Sequence, residues 1–107
     1  MPLPDLTHLQ FVVLDTLLAE GKLSGRNLRG KLEDQGVSKT GPAFYQLMAR
    51  MEDAKHVNGW YEEKIVEGQR IKERFYKITG AGEKVHDATM RFYQERNLGL
   101  KGGLAHG

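Results

Sequence analysis

The 107-residue chain has no cysteine, which excludes a disulfide framework and a thiolate metal site and suits a reducing compartment. Its four histidines, His8, His56, His86 and His106, are scattered without HExxH or other close ligand spacing, so no metal and no cofactor is assigned. Long apolar runs are also missing. The longest near the start is FVVL, far short of the roughly 20 residues that span a membrane, and MPLPDLTHLQ lacks the basic segment of a secretory signal. A soluble, cytoplasmic protein is expected, with no membrane partner. Charge of one sign is scarce too, because a formal net charge of +2 does not by itself argue for nucleic acid. At this length the chain accommodates one small domain and no second independent one.

What is present is helical periodicity followed by β-forming residues. Thr7 and Gln10 have capping-box spacing, and Leu9, Val13 and Leu17, flanked by Val12 and Leu14, predict a buried helix ending near Gly21. Ser24 can cap a second helix that buries Leu28 and Leu32, ends around Gly36, and turns Arg26, Arg29 and Lys31 outward. Ser38 or Thr40 can cap a third, with Pro42 in its first turn and Phe44, Leu47, Met48 and Met51 as the inward stripe. The short link from Gln35 to Lys39 predicts a sharp helix-turn-helix angle between the second and third helices.

After Val57 the β-formers Trp60, Tyr61, Ile65, Val66, Ile71, Phe75, Tyr76 and Ile78 flank Gly68 and predict a two-stranded hairpin. A Glu67-Gly68 loop would set Glu62 against Glu73. A Gly68-Gln69 loop instead pairs Glu67 with Arg70, Lys64 with Glu73, Glu63 with Arg74 and Tyr61 with Tyr76, so this register, with a type II′ turn, is preferred. It sorts one face into an apolar base of Tyr61, Tyr76 and Ile78, expected to join the core, and a charged tip of Arg70, Lys72 and Arg74. Thr79 then caps a fourth helix running to about Asn97, with Val85, Thr89 and Phe92 along one side and Met90 and Tyr93 beside them. The expected organisation is one domain of three helices and a hairpin at 1–79, a C-terminal helix at 80–98 and a flexible, glycine-rich tail at 99–107.

The enzyme-like fragments lack the context their chemistry demands. Gly80-Ala81-Gly82 has no third glycine and follows a hairpin strand, so it reads as a tight start to the last helix and not as a phosphate cradle. Ser24 is adequately explained as a cap, and the adjacent carboxylates Glu33-Asp34, Glu52-Asp53 and Glu62-Glu63 diverge into solvent. The chain reads as a non-enzyme.

Three helices with a tight turn before the third, then a hairpin with a basic tip, make the layout of a mainly α winged helix-turn-helix. Its natural use is to place the third helix in a major groove while wing cations approach phosphates or the adjoining minor groove. At LTHLQFVVLDTLL, LSGRNLRGKLE, GPAFYQLMARMEDAKHV and ERFYKITGAG, covering about Leu6 to Phe92, the chain resembles the PadR-type transcriptional regulators, mainly bacterial repressors. The resemblance implies that Lys39, Thr40, Pro42, Tyr45, Gln46 and Arg50 lie on or near a DNA face, with Tyr45 at the family's recognition-helix tyrosine. The residue chemistry agrees in part, since Gln46 can pair with adenine, Arg50 with guanine or phosphate, and Tyr45 and Thr40 with phosphates. The plainer alternatives are a core-edge Tyr45, a solvated Arg50, and Arg70, Lys72 and Arg74 acting as cross-strand partners of Glu67 and Glu63. Lys55-His56 departs from the glycine and leucine common at that point in the family.

The resemblance further implies a homodimer joined through the helix after the wing, with Val85, Thr89, Phe92 and Tyr93 facing a partner. The alternative is packing of that helix on the first helix of the same chain. A dimer would set two recognition helices about 34 Å apart on a palindromic operator in double-stranded DNA. A small-molecule effector is compatible with this reading, in a pocket bounded by Trp60 and the dimer seam. The rival function is a winged-helix module for protein contacts without specific DNA binding.

Overall fold

The computed structural model describes residues 6–106, with side chains described as far as Arg96. Its elements in chain order are α1 (His8–Glu20), β1 (Leu23–Ser24), α2 (Gly25–Asp34), α3 (Gly41–Asp53), β2 (Val57–Val66), β3 (Gln69–Ile78) and α4 (Gly80–His106). Both halves of the expected capping box form at α1: the Thr7 hydroxyl accepts from the Gln10 amide, and the Gln10 side chain accepts from the Thr7 amide, each at 3.1 Å. Ser24 and Thr40 cap α2 and α3 through the hydroxyl alone, accepting from the Asn27 and Ala43 amides, which satisfies donors that a helix start otherwise leaves open.

The three N-terminal helices close over one core. Val13, Leu14 and Leu17 of α1, Leu28 and Leu32 of α2, and the stripe Phe44, Leu47, Met48 and Met51 of α3 meet Val57, Tyr76 and Ile78 from the hairpin base. The apolar period of each helix therefore matches the face it buries. The sheet has three strands in the order β1-β3-β2, all antiparallel, and β1 is the one element the sequence pattern did not reveal. Two residues carry no periodicity of their own. Leu23 and Ser24 become a strand only because Tyr76 and Phe75 present an open edge to them.

The hairpin register corrects the preferred one. Val66 pairs with Gln69 across a Glu67-Gly68 turn, so Glu62 does face Glu73, Glu63 faces Lys72 and Tyr61 faces Arg74. Both turn residues have positive φ, 51° at Glu67 and 79° at Gly68, the signature of a type I′ turn. The carboxylates tolerate each other because Lys22 Nζ lies 2.9 Å from Glu62 and Lys64 Nζ lies 3.1 Å from Glu73. Lys22 arrives from the α1–β1 connection, beyond any cross-strand count within the hairpin.

The slip is one of two residues, so side-chain alternation is preserved and the facial sorting survives. Tyr61, Arg70, Lys72, Arg74, Tyr76 and Ile78 do share a face. Tyr61, however, does not join the core; it is 64% exposed, with the Arg74 guanidinium 4.8 Å from its ring centre.

Thr79 begins α4 as expected, its hydroxyl accepting from the Gly82 amide at 2.9 Å while donating to the Lys55 carbonyl at 2.6 Å. The helix continues to His106 instead of stopping near Asn97. The side chains of the expected flexible tail, 99–107, lie outside the described residues.

Candidate nucleic-acid interface

The inward stripe of α3 leaves Pro42, Tyr45, Gln46, Ala49 and Arg50 as a continuous exposed face. These positions recur at three- and four-residue steps, so they line one side of the helix. Ala49 joins this face by the same spacing, although its side chain carries no polar group to single it out in the sequence. Its lack of bulk between Gln46 and Arg50 lets that part of the face approach a surface closely, and its methyl can contact a thymine methyl.

The start of α3 is fixed from two directions. The Thr40 hydroxyl accepts from the Ala43 amide at 3.3 Å, and Arg29 Nε donates to the Lys39 carbonyl at 2.9 Å. Lys39 itself is half-buried. Tyr45 is 45% exposed and packs edge-on to Phe44, and its phenol lies over Gly25, where a Cβ would come within 2.8 Å of the oxygen. It is thus both a core-edge aromatic and part of the outer face.

On the wing, Arg70 and Lys72 are exposed and form no ion pair among the described residues, although the register sets Lys72 directly across from Glu63. Arg74 differs. Its Nη2 is hydrogen-bonded to Glu52 near the end of α3, and its guanidinium lies 5.7 Å from the Tyr76 ring centre. Arg74 therefore straps the hairpin to α3, and Gly59 leaves the strap its room, since a Cβ there would push aside the side-chain ends of both Glu52 and Arg74. Burial pushes the Tyr76 hydroxyl up to about 12, with the neighbouring guanidinium pulling the other way. Arg70 and Lys72 leave the same sheet face that carries this strap.

The four α4 positions expected at a partner surface are not equivalent. Val85 packs against the core of its own chain, Thr89 is 1% exposed with its hydroxyl donating to the Val85 carbonyl at 2.6 Å, and Phe92 is buried. Tyr93 is 47% exposed, its ring edge-on to Phe92. It borders an apolar groove of about 510 Å³ between the start of α1 and α4, lined by His8, Phe11, Met90, Tyr93 and Gln94. Deeper in that seam, buried His86 lies 2.9 Å from Asp15 and stacks on Phe11 at 4.9 Å.

Trp60 does not reach this groove. It stacks on Phe75 on the other sheet face, and its indole N–H donates to Glu62 at 2.8 Å. The Glu62 carboxyl is held below its ordinary range, first by Lys22 and then by this indole. Among the described residues no group of three or more ligating side chains is placed to hold a metal ion.

No family model and no curated protein matches the chain. Solved structures do. A PadR-like transcription factor from Bacteroides fragilis superposes with a TM-score of 0.70 at 18% identity, over 87% of this chain and 86% of that one. A PadR family transcriptional regulator from Eggerthella lenta gives 0.67 at 22% identity, over 90% and 80%. F93 from STIV, a winged-helix DNA-binding protein, gives 0.56 at 19% identity, over 78% and 85%. The chain has the winged-helix fold of these proteins, and α4 follows its wing.

Proposed function

We propose that the chain is a sequence-specific DNA-binding transcriptional regulator, acting as a repressor and as a homodimer on a palindromic operator. The observation that carries this reading is the exposed face of α3 together with two exposed wing cations that form no ion pair among the described residues. Gln46 and Arg50 read base edges in the major groove, Thr40 and Tyr45 meet phosphates, and Arg70 and Lys72 contact the flanking backbone. Lys39 and Pro42 shape the approach to the helix start. Arg74 contributes chiefly by holding the wing to α3 through Glu52.

The dimer seam is assigned to the α1–α4 groove, with Tyr93 at its rim and Phe92, Thr89 and Val85 supporting the helix from beneath. A small-molecule effector would enter through this groove, without Trp60. In binding assays across ionic strength, affinity for duplex DNA should fall steeply with salt, and Arg50→Ala or the pair Arg70→Ala with Lys72→Ala should weaken it. Absence of salt-sensitive binding to any duplex, including the chain's own promoter region, would overturn the reading.

One observation favours the rival use of the wing for protein contacts. Ile65 is 73% exposed, Val66 40% and Ile71 37%, an apolar tip unusual on a surface that meets only phosphates. Replacing these three with serine separates the readings: loss of a protein partner with unchanged DNA affinity supports the rival.

A further inference from the structure

We propose that the notch between α2 and α3, lined by Arg26, Arg29, Gly30, Glu33 and Tyr45, holds a phosphodiester of the duplex backbone. The proposal rests on the DNA reading above and adds Arg26 and Arg29 to the binding surface. The notch is an open recess of about 490 Å³. Arg29 is already positioned, because Nε is fixed on the Lys39 carbonyl and Nη1 lies 3.5 Å from where a Cβ on Gly41 would stand. One of its five donors is thereby used and four remain. Arg26 is exposed in the first turn of α2, and neither arginine forms an ion pair among the described residues.

The third element is the Tyr45 hydroxyl, held over Gly25 at the start of α2, where glycine leaves room for it. Two guanidinium groups and a hydroxyl oppose one carboxylate, Glu33, which leaves the notch net positive. A phosphodiester carries one negative charge and acceptor oxygens that match forked N–H donors. Tyr45 lines the notch and also belongs to the outer face of α3, so an anion here lies along a duplex engaged by that helix. Such a contact fixes register without reading sequence.

The test uses the full chain and two fluorescently labelled duplexes of unrelated sequence, titrated over a range of salt. Arg26→Gln should lower affinity by the same factor on both duplexes and reduce the salt slope by about one, whereas Arg26→Lys should keep the slope. Glu33→Gln should tighten binding to both, a gain that misfolding cannot produce. If wild type binds with a steep salt dependence and Arg26→Gln and Glu33→Gln bind alike, the notch is overturned while the DNA reading stands. If wild type binds no duplex, both fall. If inorganic phosphate perturbs the notch resonances while Arg26→Gln leaves duplex binding intact, the notch serves a free anion and the proposal is overturned.

Discussion

Lys55 occupies the left-handed position that ends α3, with φ of 66°. The His56 amide bonds the Met51 carbonyl at 3.0 Å and the Lys55 amide bonds the Glu52 carbonyl at 2.9 Å, the paired bonds of a Schellman ending. The same motif ends α2, where Gly36 takes φ of 86° without a Cβ to clash. Lys55→Gly should therefore stabilise the fold by about 1 kcal/mol, read as a higher Tm in thermal melts. Lys55 is thus a point of local backbone strain that a glycine would relieve.

Tyr76 supplies a second residue-scale expectation. Its folded pKa of about 12 stands above the ordinary value of 10.0, so above pH 10 the unfolded chain ionises first and stability falls. The contribution is complete below pH 10 and is lost as pH rises toward 12, at about 1.4 kcal/mol per pH unit. Denaturant melts across this window should show the decline, and Tyr76→Phe should flatten it.

Among the elements, the hairpin and the start of α4 depend on contacts that span the chain. The GAG segment that begins α4 is a packing feature: a Cβ on Gly82 would collide with the His56 carbonyl, a backbone atom that cannot swing aside. Gly82→Ala should cost about 1–3 kcal/mol and shift α4 relative to β2, visible in chemical denaturation. Glu52→Gln tests the wing strap. Replacing the charged partner of a half-buried guanidinium should cost roughly 1 kcal/mol and weaken duplex binding more than stability predicts, because the wing loses its orientation toward α3. The helix elements were legible because each has an apolar period and a capping residue. The hairpin faces were legible for a related reason, since strand alternation is unchanged by a two-residue slip. The register was not legible, because Lys22 neutralises Glu62 from outside the hairpin.

At the scale of the whole molecule, α1 and α4 bring together the His86–Asp15 pair, the Phe11 stack and the groove that ends at Tyr93. Tyr93→Glu should dissociate the proposed homodimer in light scattering, and it should weaken binding to a two-half-site duplex far more than to a single half-site. The sequence by itself determined the helix faces, the helix caps, the basic wing face and most of the exposed stripe of α3, because these follow from periodicity and side-chain chemistry within a few residues. Only the tertiary structure decided which cations form ion pairs among the described residues, where Trp60 and Tyr61 lie, which α4 side chains their own chain buries, and that Arg26, Arg29 and Tyr45 line one notch. Each of those outcomes depends on groups distant in sequence meeting in space, and a single chain's local pattern carries no record of such distances.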